Sequence, residues 1–313
     1  MFNRYKRLLF VIAILVMTAC SKTSASGKNI TQHASNVSVV AKEDGNAHGI
    51  AMGDGNIYFG LSGKYIFRYS PESGCEEIAV LEEAAGSFRA GVDNVFIYDM
   101  DYGPDKNLYI AAETKVLRWS ASHGIETLFE DDFSGTYGAA GIAVQKNGTF
   151  YVTDHGGRVI HFNPENGDKE VVMKKDSNED KPLGFFAPIG LALSENENYL
   201  YICDSVLSRV ITMNTQNNRI ESIVPLSEVS TIEYLGVSNG YLYVKSPAQE
   251  YFYILDLSNP EKPEETGRLE VKGVDFFSYG IQTFVVSEES NNTHVTGTCW
   301  DSGEVYSLNI DTQ

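Results

Sequence analysis

Residues 141–167 read GIAVQKNGTFYVTDHGGRVIHFNPENG. Three short apolar alternations are cut by turns. Asn147-Gly148 splits the first two, Gly156-Gly157 the second and third, and Asn166-Gly167 closes the third. Period-two alternation marks strands, and Asn-Gly or Gly-Gly between strands marks hairpins. A meander of this size cannot bury its own apolar faces. It must be one unit of something larger.

The pattern recurs five more times. The six units begin HGIAMGDGNIYFGLSGKYIFRYS (48–70), YDMDYGPDKNLYIAAETKVLRWS (98–120), AGIAVQKNGTFYVTDHGGRVIHFN (140–163), IGLALSENENYLYICDSVLSRVITMN (189–214), LGVSNGYLYVKSPAQEYFYILDL (235–257) and YGIQTFVVSEESNNTHVTGTCWDSGEVYSLN (279–309). Their second positions are spaced by 50, 42, 49, 46 and 44 residues. Most units continue into a fourth strand: CEEIAVLEE (75–83), GIETLFEDD (124–132), KEVVMKKD (169–176) and RIESIVPLS (219–227). Four strands in about 40–50 residues is the pattern of a propeller blade. The fold expected is all-β: a six-bladed propeller with four antiparallel strands per blade. The last unit ends at Gln313 after its third strand, while VSVVAK (37–42) precedes the first unit without a partner. Residues 37–42 are therefore expected to supply the outermost strand of the last blade. Their deletion should loosen the whole ring.

The first nineteen residues are a separate object. Arg4, Lys6 and Arg7 precede a ten-residue apolar run, Leu8–Met17, half of the roughly 20 residues a membrane span needs. This is the form of a secretory signal. Val16-Met17-Thr18-Ala19-Cys20 resembles a bacterial lipobox, which implies cleavage before Cys20 and lipidation of its sulfur. Two or three acyl chains hold a protein stably at a membrane. Residues 20–36 are small and polar and read as a lipidated flexible tether, leaving 37–313 as the propeller domain. The expected location is extracytoplasmic, on a bacterial membrane. Ser21 resembles the signal that sorts lipoproteins to the periplasmic face of an outer membrane in a cell that has two.

The chain holds 24 Lys+Arg against 42 Asp+Glu. Loss of the three leader cations lowers the first figure to 21. So acidic a surface repels nucleic acid and favours cationic or neutral ligands. Beyond Cys20 lie Cys75, Cys203 and Cys299, an odd number that excludes a complete disulfide framework. Cys203 and Cys299 stand in apolar runs, as buried thiols do, although one disulfide could form. A closed ring needs no partner to fold, so a monomer is expected.

PIGLALSENENYLYICDSVLSRVI and GIAVQKNGTFYVTDHGGRVIHF resemble units of six-bladed propellers of the gluconolactonase-like, strictosidine-synthase-like and NHL-repeat superfamily, over roughly residues 37–311. The resemblance implies a central channel lined by the first strand of each blade. The leading residues at its mouth would be His48, Tyr98, Ala140, Ile189, Leu235 and Tyr279. The turns between second and third strands would bring Glu113, Asp154, His155, Asp204, Lys245 and Trp300 to the same end. Metal-dependent hydrolases of this group hold a divalent cation there with carboxylate and Asn side chains. Calcium takes six to eight oxygens, and Ala140 and Ile189 offer none. The metal site is expected to be absent or relocated, with Asp99, Asp154 and Asp204 as the alternative ligands.

Asp99 takes the place that glycine holds in the other units. It could face the channel, pair with His48, or hold a cation such as calcium. The catalytic candidates are His48, Asp99 and Asp154; His48 could act as base or ligand, and a hydrogen bond to a neighbouring blade's backbone is the stronger reading for it. For Asp154-His155 a structural role is the stronger reading, because carboxylates recur at equivalent turns (Glu113, Asp204) and Arg158 and Arg209 follow. No nucleophile elbow, Cys-x-x-Cys or phosphate-binding glycine loop is present. Phe88, Phe96, Phe133, Tyr137, Phe185, Phe186, Tyr234, Phe276 and Phe277 precede or open the first strands, either as blade packing or as an apolar rim. The expected activity is binding of a small molecule or an envelope protein through a mouth bearing His48, Tyr98, Asp99, Tyr279 and Trp300. The alternatives are a hydrolase or lactonase with a non-standard site, and a scaffold without ligand.

Overall fold

The computed structural model describes residues 30–81, 96–131, 138–175, 186–226, 231–247, 249–271, 281–289, 292–299 and 302–311. They form twenty-four strands and no helix. Blade 1 holds β2 (Ala47–Gly53), β3 (Asn56–Leu61), β4 (Tyr65–Ser70) and β5 (Gly74–Val80). Blade 2 holds β6 (Ile97–Tyr102), β7 (Leu108–Ala112), β8 (Lys115–Ser120) and β9 (Gly124–Glu130). Blade 3 holds β10 (Ala139–Val144), β11 (Phe150–Asp154), β12 (Arg158–Phe162) and β13 (Lys169–Lys174). Blade 4 holds β14 (Pro188–Leu193), β15 (Tyr199–Asp204), β16 (Arg209–Asn214) and β17 (Ile220–Pro225). Blade 5 holds β18 (Tyr234–Ser238), β19 (Tyr241–Lys245), β20 (Tyr251–Asp256) and β21 (Glu264–Glu270). Blade 6 holds β22 (Ile281–Glu289), β23 (Asn292–Cys299) and β24 (Glu304–Asp311), completed by β1 (Ile30–Lys42).

The turns follow the sequence signals. At the Asn147-Gly148 hairpin the Gln145 amide donates to the Thr149 carbonyl at 2.8 Å, and Gly148 takes φ +86°. The first strands touch in the order β2, β6, β10, β14, β18, β22, and β22 returns to β2. Each pair of neighbouring blades shares an apolar core, such as Tyr109, Val116, Phe150 and Ile160 between blades 2 and 3. The ring is thus held by burial between sheets. A fully buried Phe or Leu side chain contributes about 1.5–3 kcal/mol.

The glycine near the start of a unit has a steric cause. A Cβ on Gly141 would lie 2.1 Å from the Ile189 carbonyl oxygen, and one on Gly190 would lie 2.3 Å from that of Glu233. Each glycine lets the first strand of the following blade approach.

The ends close as expected, with one extension. β1 pairs antiparallel with β24 from His33–Asp311 to Lys42–Glu304. The strand begins at Ile30, however, inside the stretch read as tether, and Ile30–His33 pair in parallel with Gly267–Glu270 of β21. Blades 5 and 6 thereby become one eight-stranded sheet. Ala34 and Val37 pack on the core between them. The Ser, Thr and Asn content of the segment hid a strand whose partners are distant in sequence. Of the three thiols, Cys203 and Cys299 are buried and Cys75 is half-buried, and none is in a disulfide.

Candidate functional site

One end of the channel carries a cluster of rings from four blades. His48 opens β2, and its Nε2 lies 3.0 Å from the Tyr234 hydroxyl of β18. Its ring packs edge-on against Phe96, Tyr98 and Tyr234, with centroids 5.9, 6.1 and 6.0 Å away. Tyr98 also meets His155, from the turn after β11, at 5.7 Å. His48 is buried, and burial lowers its pKa to about 4 against the opposing effect of the Tyr98 and Ile97 backbone. It is a neutral imidazole at pH 7. Burial lowers His155 as well, with Asp154 opposing.

Asp99 lies one residue further along β6 and lines the channel. It does not pair with His48. Its Oδ1 accepts from the Met100 amide at 3.0 Å and its Oδ2 from the Ile142 amide of β10 at 3.1 Å. Asp101 repeats the arrangement with the Tyr102 amide at 2.8 Å and the Val144 amide at 2.7 Å. The two carboxylates satisfy amides on the free inner edge of β10, taking over the blade-to-blade contact that glycine makes elsewhere. Burial raises Asp99 to about 8 and Asp101 to about 6, against those backbone donors. Both line a central cavity of about 310 Å³ walled by all six first strands. Tyr234 belongs to this wall and to the ring cluster.

The other carboxylates are engaged differently. Asp154 is fully buried and accepts from the Arg158 amide at 2.8 Å and its Nε at 2.5 Å. Asp204 accepts from Arg209 Nε at 2.7 Å and from the Ala187 amide at 3.1 Å. Asp154 turns to its arginine while His155 turns to Tyr98, so the two do not act on a common point. Asp99, Asp154 and Asp204 do not converge. Among the described residues no group of three or more His, Cys, Asp and Glu side chains could hold a metal ion. Tyr279, Trp300 and Cys20 lie outside the described residues, as do Phe88, Phe133, Tyr137, Phe185, Phe276 and Phe277.

Two groups gain importance in the structure. Lys245 is fully buried at the end of β19, donating to the Ser246 carbonyl and, at 2.6 Å, to that of Gln249. Burial lowers its pKa to about 8, opposed by Glu233. Burial raises Glu233 to about 7, opposed by Lys245. Glu233 immediately precedes the first strand of its blade and carried no sequence signal. Asp101 did carry one, the alternate spacing in YDMDY.

The LVIVD repeat family matches residues 233–271, which is blade 5. No curated protein matches the chain significantly. The fold resembles a gluconolactonase from Xanthomonas campestris, with 11% identity over 94% of this chain and 100% of that one, at a TM-score of 0.65. Virginiamycin B lyase from Staphylococcus aureus aligns at 10% identity over 87% and 98%, with a TM-score of 0.57. A chain of a nidogen–laminin complex aligns at 14% over 72% and 80%, with a TM-score of 0.54. The chain is a six-bladed β-propeller with an LVIVD repeat. The neighbours include two enzymes and a member of a protein complex, so the shared fold does not choose between chemistry and binding.

Proposed function

We propose that this protein is an extracytoplasmic, lipid-anchored propeller that binds a small molecule at the channel mouth bearing His48, Tyr98 and Asp99. The observation that carries the reading is the ring cluster drawn from four blades beside a cavity of mixed polarity that holds two carboxylates. Apolar concavities with a few polar groups are the usual form of a ligand site. The known engagement of Asp154 and Asp204 with arginines supports binding over metal-dependent hydrolysis.

A lactonase-like activity is the second reading. It is favoured by Asp99, a channel carboxyl able to hold a proton near neutral pH, and by the gluconolactonase fold. A ligand-observed NMR screen on the mature chain tests the first reading. Bound compounds should be lost from Tyr98→Ala and should emerge unchanged. Hits indifferent to Tyr98→Ala would refute the mouth as the site. Turnover of lactones that depends on Asp99 would establish the second reading.

A further inference from the structure

The cavity beneath the ring cluster has a chemical character of its own. Its wall is of mixed polarity: Ile142, Val144, Leu191, Leu235 and Val286 share the lining with Asp99 and Asp101 of β6 and with Glu195 and Glu197. Each carboxylate accepts two backbone amides and nothing else that the structure records. Among the described residues no lysine or arginine pairs with either. The one basic residue on the wall, Lys146, donates its ammonium to the Glu195 carbonyl at 2.8 Å. Buried carboxylates are ordinarily paired with a cation or neutralised. Asp154 and Asp204, in the same molecule, obey that rule through Arg158 and Arg209. Asp99 and Asp101 are half-buried, line the cavity and have backbone amides as their recorded partners.

We propose that this cavity binds a small organic ammonium ion, with the cationic head against Asp99 and Asp101 and the aliphatic body along the inner strands. The inference rests on the channel being a binding site and names the ligand class. Four alternatives in charge and hardness are separable. An anion would meet two carboxylates and Glu195 and Glu197 at the far end. A neutral guest would leave both carboxylates without a counter-charge. Calcium demands six to eight oxygens, and two carboxylates with half their lone pairs committed to amides supply too few. An ammonium ion needs only two or three acceptors, and its hydrocarbon body can lie on the apolar half of the wall. Tyr234 and Phe284 also belong to the lining. A volume of about 310 Å³ admits a compact ligand, at the small end of the usual range of roughly 300–1,000 Å³.

The ionisation states agree with this. Without a counter-charge, Asp99 is held up to about 8 and Asp101 to about 6 by burial. An ammonium beside them would draw both down, so binding at pH 7 should release protons. The other titratable groups facing this space are Glu195, Glu197, Lys146 and Tyr234 on the wall and His48 above Tyr234. His48 is already neutral at pH 7 and does not compete for those protons.

The test is calorimetric titration of the mature chain at pH 7 with n-hexylammonium, 1-hexanol, hexanoate and calcium chloride, in two buffers of different ionisation enthalpy. The ammonium ion should bind at least tenfold more tightly than the alcohol, hexanoate should not bind, and the enthalpy should report proton release. Asp101→Asn should weaken the ammonium ion by tenfold or more and leave the alcohol unchanged. The wild-type comparison needs no variant, so a poorly folded mutant cannot rescue the idea. Equal binding of amine and alcohol overturns the ammonium assignment and leaves the channel as an apolar binding site. Calcium binding without amine binding overturns it in favour of a metal. No binding of any probe also overturns it, while the mouth is judged separately by whether other ligands depend on Tyr98.

Discussion

Two pairs of aspartates, built on the same repeated unit, have opposite surroundings. Asp154 and Asp204 end the second strands of blades 3 and 4, and each meets the arginine that opens the third strand. Asp99 and Asp101 sit on the first strand of blade 2 and meet only backbone amides. The first pair repeats because the hairpin repeats, so its chemistry is consumed inside the blade. The second pair occurs in one blade alone and faces a space that all six blades share. Repetition in a ring of equivalent units points to structure. Departure from it, at the position nearest the axis, points to function.

The largest effect should come from breaking the paired class. Asp204 is fully buried and its Arg209 side chain is 13% exposed, whereas Arg158 beside Asp154 is 24% exposed. Removing one member of a buried pair strands the other charge and costs about 3–5 kcal/mol. Asp204→Ala should lie toward the upper end and Asp154→Ala toward the lower, read as denaturant midpoints at constant slope. A loss below about 1 kcal/mol in both would erase the distinction between the two aspartate classes.

The second prediction concerns the unpaired class and pH. The Asp99 carboxyl titrates near 3.8 when exposed and at about 8 in the fold. Between those values the folded chain holds a proton that the unfolded chain has released. Stability from this group is therefore full below about pH 4, falls as pH rises, and is lost by about pH 8. Asp101 adds the same sign up to about pH 6 and Glu233 up to about pH 7. His48, lowered to about 4, has the opposite sign up to its exposed value of 6.5. From pH 7 to pH 8 Asp99 draws stability down, Glu233 adds to the decline near pH 7, and Lys245, lowered to about 8, opposes it toward pH 8. The Asp99 share of the decline is at most about 1.4 kcal/mol per pH unit. Asp99→Asn should show a flatter profile, and an unchanged slope would place the carboxylate in effective contact with bulk water.

How far the sequence reached follows from the same contrast. The blades were legible because their signals are local: a hairpin such as Asn147-Gly148 and a strand such as LYIAA lie within a few residues of each other. The glycines at Gly141 and Gly190 were visible as a motif, and their cause, the next blade's carbonyl, needed coordinates. The closing strand was legible only from residue 37, because Ile30–His33 pair with β21, over two hundred residues away. At the site, the anomaly at Asp99 was readable as a broken pattern. Its bond to the Ile142 amide, the Tyr234–His48 contact and the Glu233–Lys245 interaction join positions that no spacing rule connects. The arginine partners of Asp154 and Asp204 were readable because they are four and five residues away.

The smallest effect tests whether the ring cluster above the cavity is a fixed frame. Tyr234 and His48 come from blades 5 and 1, with blade 6 between them, so their 3.0 Å contact spans the mouth. Tyr234→Phe keeps the ring, its edge-on packing on His48 and its place in the cavity wall, and removes only the hydroxyl. One hydrogen bond is worth about 0.5–1.5 kcal/mol, and somewhat more when its loss leaves a buried polar atom behind. A fall of about 1–2 kcal/mol is expected in denaturant unfolding. The same variant separates frame from ligand contact. If the hydroxyl only braces the mouth, hexylammonium affinity should change by less than about threefold, since Asp99 and Asp101 are untouched. A tenfold loss of affinity without loss of stability would instead make Tyr234 a direct partner of the ligand and move the cation toward the rings and away from the carboxylates.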